Sequence, residues 1–273
     1  MTDSVQTAPT RLIHGDRLLQ MSGRAWFVTA AIGQLAFVAF IAAFYGVSTF
    51  AGDFAAWNDK PLIDGHIEGD ATGNMMFASH ALLAIVMTLA GLMQLTPQVR
   101  AWSPTLHRYS GRVFLVTACL LALGGLWLSW VRETHLSLIS GYAISINGLL
   151  ILAFAALTIR HAVRREIGMH QVWAMRLFLV ANGVWFLRIA MMAWIVIAQG
   201  PVGMNRTMSG PADVVMIFGC YLVPLAVYEL YGRARLSSST GAKVAAAGLV
   251  FAAAGITAIG VFGTVAFMWL PYV

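Results

Sequence analysis

Residues 75–96 read MMFASHALLAIVMTLAGLMQLT, a run of 22 residues that contains no charged side chain. About 20 consecutive apolar residues in a helix cross the hydrocarbon core of a bilayer, which is roughly 30 Å thick. A helix satisfies its own backbone hydrogen bonds in lipid, and the alternating pattern of barrel strands is absent from the sequence. This stretch therefore predicts a transmembrane α-helix.

The composition extends this prediction to the whole chain. Hydrophobic residues make up 59% and charged residues 10% of the 273 residues, and the mean hydropathy is +0.77. A soluble domain would carry roughly a quarter charged residues. Further apolar runs lie at residues 25–50, 113–131, 139–160, 172–198, 212–231 and 245–270. The sequence thus predicts an all-α polytopic bundle of about seven spans, with a cytoplasmic segment at 1–24 and a single transmembrane domain at 25–273.

The distribution of basic residues predicts the orientation, because cytoplasmic loops are enriched in lysine and arginine. One side of the predicted bundle holds twelve of them: Arg11, Arg17, Arg24, Arg100, Arg108, Arg112, Arg160, Arg164, Arg165, Arg233, Arg235 and Lys243. The other side holds Lys60, Arg132 and Arg206. We expect an N-in, C-out protein, with the N-terminus in the cytoplasm and the C-terminus outside. Topology also accounts for the net charge of +6, so a nucleic-acid partner is not expected.

The longest predicted outer loop covers residues 51–74 and includes the acidic stretch WNDKPLIDGHIEGD. One interpretation is a solvated connector between two spans. The other is a docking surface for a membrane or periplasmic protein partner. Cys119 and Cys220 both lie in apolar runs, where cysteine behaves as a small hydrophobic residue.

Polar side chains inside the spans are the first candidates for function, because a charge in the membrane costs at least about 3 kcal/mol. Arg188 lies some 16 residues into the fifth span, roughly 24 Å along the helix. It either extends to the outer surface or meets an interior anion, such as Asp213 or a ligand carboxylate. His80 lies near the outer end of the second span and either hydrogen-bonds a neighbour or lines a site. Gln94 follows fourteen residues later, within about 40° of the same helix face.

A second group of candidates lies at the predicted inner boundary. The third span opens with His107, Arg108 and Arg112, and the fifth opens with His170 and Arg176. Positive loops on the inner side account for the arginines, but they do not account for the histidines. The repeated order of histidine then arginine suggests two related hairpins around a core of spans two to five.

The same residues carry a family resemblance. The segments HALLAIVMTLAGLMQL (80–95), LHRYSGRVFL (106–115), MHQVWAMRLF (169–178) and WFLRIAM (185–191) resemble a bacterial family of multi-pass membrane proteins known as domain of unknown function 2306. The resemblance covers residues 75–231. The positions that match the family pattern are His80, Gln94, His107, Arg108, Gly111, Arg112, His170, Arg176 and Arg188. The family supplies an expectation for the fold and none for an activity.

The plan of this bundle is loosely similar to that of cytochrome b561-type membrane proteins, which favours a haem b- or quinone-binding electron-transfer protein. Histidines in a four-helix core can ligate haem iron, and arginines can hold the propionates. His107 and His170 are the predicted iron ligands of an inner haem. His80 would serve an outer haem, with only His135 or a methionine of the fifth span as a partner.

The alternative is a non-enzymatic protein: a carrier for a small anionic solute or lipid, or an accessory subunit of a larger membrane complex. Arg176 and Arg188 would hold an anionic headgroup, and Glu229 and Asp213 would balance their charges. The sequence contains no HExxH, GxSxG, P-loop or dinucleotide motif, which disfavours hydrolysis and nucleotide transfer. It also offers no obvious discontinuous helices of the kind that carriers use.

Overall fold

A computed structural model describes residues 14–60 and 63–273 as helices joined by short loops. The helices in chain order are α1 (His14–Ile41), α2 (Val47–Ala51), α3 (Ala71–Leu95), α4 (Pro97–Trp102), α5 (Pro104–Trp130), α6 (Leu138–Val163), α7 (Ile167–Ala181), α8 (Gly183–Ile197), α9 (Pro211–Leu236) and α10 (Thr240–Gly263). A π-helical turn at Ala42–Gly46 joins α1 to α2, and another at Thr264–Trp269 continues α10. Short 3₁₀ turns lie at Ala55–Asn58 and Leu270–Tyr272.

The predicted polytopic all-α class is confirmed. Within the described residues, six helical stretches are long and apolar enough to cross a membrane. The pair α7 and α8 supplies a seventh crossing if the two helices are one bent span. The count of about seven spans therefore agrees with the prediction from hydropathy.

Several helices begin before the apolar run that predicts them. α5 begins at Pro104 rather than at 113, because the Ser103 side chain accepts a hydrogen bond from the Leu106 N–H at 3.2 Å and caps the helix. α7 begins at Ile167 rather than at 172. α1 begins at His14, so residues 14–24 of the predicted N-terminal segment are helical, and residues 1–13 lie outside the described part. Hydropathy indicates which residues lie in the bilayer, whereas capping residues determine where a helix begins and ends.

Two contacts define the two ends of the bundle. Lys243 at the start of α10 forms an ion pair with Asp16 at the start of α1, with 2.7 Å between Nζ and Oδ1. We call this end the N-terminal side. At the opposite end, Lys60 donates a hydrogen bond to the Met268 carbonyl at 3.3 Å. We call this end the loop side, after the 52–70 loop.

The buried core is wider than the predicted core of spans two to five. Successive helices α3, α5, α6 and α7 do pack in pairs, as the two-hairpin interpretation requires. However, α1 packs along α10, and α8 packs against α10 and α9. The buried cluster accordingly includes Phe40 of α1, Trp185 of α8 and Tyr221 of α9.

The fifth span is broken. α7 and α8 meet at Asn182 with a bend of 55°, and this residue ends one helix and begins the next. The sequence offers no obvious discontinuous pair of helices, and the structure shows a bent pair that hydropathy does not reveal. Gln34 of α1 donates a hydrogen bond to the Asn182 side chain at 3.1 Å, which places a polar contact at the break.

The described parts of the 52–70 loop, residues 52–60 and 63–70, fold back onto the bundle. Trp57 is only 3% exposed and stands against Phe54 and Phe77. Arg132, from the α5–α6 connection, pairs with Asp70 at 3.0 Å and donates to the Gly65 carbonyl at 3.2 Å. The loop is thus more than a solvated connector, and its role as a docking surface for a protein partner stays a prediction.

Candidate functional site

Arg188 lies on the loop-side half of the broken span and faces the bundle. Its Nη1 donates to the Val184 carbonyl at 3.1 Å, one turn nearer the middle of the membrane. Its guanidinium carbon lies 5.5 Å from the centre of the Phe37 ring on α1. The side chain therefore turns back into the bilayer region and does not extend outward to the loop surface.

Lys60 reaches the same region from the 52–70 loop. Its Nζ lies 4.8 Å from the centre of the Phe40 ring and 5.3 Å from that of Tyr272, contacts that stabilise a cation. Burial, and then the positive charge of Arg188, lower the pKa of Lys60 from 10.5 to about 8. The two cations therefore lie close enough to repel each other.

His80 lies on α3 and packs against the glycine pair of α5. A side-chain carbon at Gly124 or Gly125 would lie 3.4 Å from the imidazole, within van der Waals contact, so the ring lies directly against this part of α5. The Nδ1 atom of His80 is buried and has no hydrogen-bond partner among the described residues. His80 and Tyr45, like Lys60, lie within electrostatic range of Arg188. We call Arg188, Lys60, His80 and Tyr45 the loop-side cluster.

The cluster contains no balancing carboxylate. Across residues 14–60 and 63–273, the ion pairs are Arg132–Asp70, His161–Glu166, Arg176–Glu229 and Lys243–Asp16. Asp213, which the sequence suggested as a partner of Arg188, caps α9 instead. Its Oδ2 accepts from the backbone N–H groups of Asn205 and Gly210 at 2.8 and 3.1 Å. A low-dielectric region with two cations and no anion favours the binding of an anion.

The second group of candidates lies on the N-terminal side. His107 and His170 open α5 and α7 and lie within electrostatic range of each other. The Nδ1 atom of His170 is 3.1 Å from the Thr158 carbonyl. The Nδ1 atom of His107 is buried without a partner in the described chain. Because a carbonyl can only accept, His170 carries its proton on Nδ1 and leaves Nε2 free as a ligand atom.

Of the remaining predicted residues, some hold neighbouring helices together and others lie exposed at a helix end. Gln94 donates to the His107 carbonyl at 2.8 Å and to Ser110 Oγ at 2.6 Å, so it fixes the first turns of α5. Arg176 pairs with Glu229 at 2.7 Å, as the carrier interpretation expected, and lies 4.3 Å from the centre of the Trp173 ring. Arg108 and Arg112 are exposed at the start of α5.

The structure therefore separates the predicted residues into two sites. His80 lies within electrostatic range of Arg188 on the loop side, and His107 lies within electrostatic range of His170 on the N-terminal side. Among the described residues, no group of three histidine, cysteine, aspartate or glutamate side chains is arranged to hold a metal ion. A two-histidine haem site is not of that kind and stays a prediction.

The sequence pattern predicts that Lys60 lies in a loop, but it does not identify the aromatic rings that surround the Lys60 ammonium group. The available signal was the stretch FVAFIAAFYG at 37–46, whose aromatic residues recur at helical spacing just before the loop. Phe37, Phe40 and Tyr45 all come from it. Helical spacing of aromatics normally indicates ordinary core packing, so the signal alone does not indicate a site.

A comparison with protein families finds a match over more than half of the chain. A family described as "Predicted membrane protein (DUF2306)" matches residues 77–232, from just before His80 to the end of α9. No curated protein matches the chain, and no solved structure does.

Proposed function

The chain belongs to this family of predicted membrane proteins, and from its loop-side cluster we propose that it binds a small hydrophobic anion. The ligand is a carboxylate or phosphate on an apolar body. The observation that carries the proposal is the pair Arg188 and Lys60, two cations in one region with no carboxylate partner in the described chain. An anion between them lowers the cost of both charges.

The chemistry of the surrounding groups supports both parts of this ligand. The planar guanidinium of Arg188 can hold two oxygen atoms of a carboxylate or phosphate. The rings of Phe37, Phe40 and Tyr272 offer an apolar surface beside the two cations. A neutral quinone would fit the aromatic surface, but it would leave the positive charge uncompensated, so an anion is favoured.

The test is the binding of dodecanoate to the purified protein in phosphatidylcholine nanodiscs, with empty nanodiscs subtracted. Dodecanol and a short-chain benzoquinone serve as neutral probes. We expect Arg188→Leu to weaken dodecanoate binding by about ten- to a hundredfold, the effect of a lost hydrogen bond to a charged group. Arg188→Lys should weaken it less, because lysine keeps the charge but loses the two-oxygen geometry of the guanidinium. Arg206→Leu, at an exposed loop position, is the matched control. Equal binding of dodecanoate by Arg188→Leu and the parent protein, or equal binding of dodecanol, would refute the proposal.

A second candidate function rests on His107 and His170. The two histidines lie within electrostatic range of each other, and the Thr158 contact leaves Nε2 of His170 free, as an axial ligand of haem b requires. Arg108 and Arg112, exposed on the first turns of α5, are placed to pair with propionates. Bound haem would supply one-electron transfer. The loose similarity in plan to cytochrome b561-type proteins favours this haem candidate.

An absorbance spectrum of the purified protein, oxidised and then reduced with dithionite, tests the haem site. We expect a Soret band and sharpened reduced bands that both His107→Ala and His170→Ala abolish, while His161→Ala leaves them unchanged. A colourless protein after expression with added haem precursor would exclude the candidate. That result would leave the anion site untouched, since the two sites lie at opposite ends of the bundle.

The charge distribution supports a proposal for the location of the protein. We propose that the N-terminal side faces the cytoplasm of a bacterial cell and that the loop side faces outward. The support is the excess of arginine and lysine on the N-terminal side. In this orientation the anion site belongs to the outer half of the inner membrane.

A further inference from the structure

The two halves of the broken span belong to different groups of helices. α7 packs mainly on α6, and α8 packs mainly on α10. On the α7 side, His170 contacts the Thr158 carbonyl, and Trp173 lies 5.3 Å from Phe154. Asn182 is therefore the junction at which the chain passes from one group to the other.

α8 is fixed closely to α1 and α10. Trp185 donates to the Gly33 carbonyl of α1 at 3.4 Å. The Thr264 hydroxyl, at the end of α10, donates to the Arg188 carbonyl at 3.4 Å. A side chain at Gly260 would collide with the Ile189 backbone, so α8 and α10 approach backbone to backbone. These contacts make α1, α8 and α10 one packing unit.

The amide groups at the junction are only partly used. Gln34 and Asn182 are 0% and 3% exposed. The Asn182 amide nitrogen donates to the Phe178 carbonyl of its own helix at 2.8 Å, and its oxygen accepts from Gln34. The side-chain oxygens of Gln34 and of Asn147, which packs against Gly183, are buried without partners in the described chain. These two oxygens are therefore available to accept hydrogen bonds if the helices rotate at the junction.

The loop-side cluster spans the boundary between the two groups. Arg188 lies on α8, and the contacts of Lys60 are with Phe40, Met268 and Tyr272 of the α1 and α10 spans. His80 lies on α3 and packs against α5. A movement between the two groups would slide the α1 span over α3, where Tyr45 meets Phe77 at 5.8 Å, and would also shift the contacts that α9 makes with both groups.

We propose that the Gln34–Asn182 hydrogen bond positions Arg188 opposite His80, and that α1, α8 and α10 turn as a unit about Asn182 to open and close the anion site. The hinge follows from the packing alone, and only its closure by ligand rests on the proposed function. Asn182 and Gln34 act through Arg188 and are positioning residues. Because the closed state binds, loss of their hydrogen bond lowers the competent fraction and so the apparent affinity.

Distances between spin labels test the hinge. Labels on cysteines introduced at Met75 and Ile197, both exposed at the loop-side ends of α3 and α8, report on the two groups. Labels at Met75 and Leu138 lie within one group and serve as the control pair. The free cysteines Cys119 and Cys220 are first replaced by alanine. We expect two distance populations for the first pair and one for the control pair.

Gln34→Met keeps the volume of the side chain and removes the hydrogen bond, so it should shift the first pair toward the longer distance without dodecanoate. It should also weaken dodecanoate binding by about two- to tenfold, the range for one neutral hydrogen bond. Saturating dodecanoate should shift the parent protein toward the shorter distance. A single narrow distribution that neither Gln34→Met nor dodecanoate changes would overturn the hinge, even if dodecanoate binds. If dodecanoate fails to bind but Gln34→Met still shifts the populations, the hinge stands and the proposed function falls.

Discussion

At the scale of the residue, the titration of Lys60 alone should make anion binding depend on pH. Burial and the charge of Arg188 lower the pKa of this lysine to about 8, so it is charged below that pH and neutral above it. An anion gains from Lys60 only while the lysine is charged. We therefore expect the affinity for dodecanesulfonate to be highest below pH 8 and to fall as the pH rises through 8. This probe stays anionic throughout, so a binding series from pH 6 to 10 reports on the protein.

Two variants separate Lys60 from other titrating groups. Lys60→Arg remains charged across the whole range and should bind without a change near pH 8. Lys60→Gln should bind weakly at every pH. A decline near pH 8 that persists in Lys60→Gln would show that a different group titrates.

Residue-level reasoning from the sequence identified half of the loop-side cluster. The cost of a charge inside lipid singled out Arg188, and the depth of His80 in an antiparallel neighbour placed the two together. Lys60 could not be found in this way, because its carbonyl partner Met268 lies 208 residues further along the chain. Such a contact depends on how the loop folds back, and hydropathy carries no information about that.

At the scale of elements, glycine positions on α10 set the separation between helices. A methyl group at Gly260 would collide with the backbone of Ile189, beside Arg188, whereas one at Gly255 on the same helix meets nothing within 4 Å. We expect Gly260→Ala to lower the free energy of unfolding by about 1–3 kcal/mol through overpacking. It should also weaken dodecanoate binding, because α8 must move away with Arg188.

Gly255→Ala is the matched control for this prediction. Alanine is the better helix former by about 1 kcal/mol, so this variant should be neutral or slightly more stable. Thermal unfolding of both variants in nanodiscs gives the comparison. Equal stability of the two variants would mean that α8 and α10 do not approach as closely as the structure places them.

The helix boundaries show which features of the fold hydropathy predicts and which it does not. The apolar runs predicted every span, because burial in lipid requires about 20 apolar residues. They did not predict the break at Asn182, since a single asparagine barely changes the hydropathy of a 27-residue run. The Asn182 side chain is hydrogen-bonded by Gln34, a partner 148 residues away in the chain, which hydropathy does not predict.

At the scale of the whole molecule, the anion site combines two parts of the chain. His80 and Arg188 lie within the family match at 77–232. Lys60, Tyr45 and the rings of Phe37 and Phe40 precede it. The α1 and α10 spans thus close a site whose other half lies in the matched region, and both parts are needed for the charge arrangement proposed here.

The orientation of the whole bundle is the last prediction. If α7 and α8 form one crossing, the seven crossings put α1 and α10 in the same direction through the membrane, and the excess of basic residues predicts a cytoplasmic N-terminal side. A reporter protein fused after Val273 should therefore be active in the periplasm, and one inserted near Arg165, between α6 and α7, should be active in the cytoplasm.

The α7–α8 pair is the crossing that most needs a test, because α7 and α8 have only 15 residues each and are bent by 55°. A reporter inserted at Arg206 tests it, with periplasmic activity expected. Cytoplasmic activity at both Arg165 and Arg206 would show that the pair is re-entrant, and the anion site would then lose its place in the outer half of the membrane.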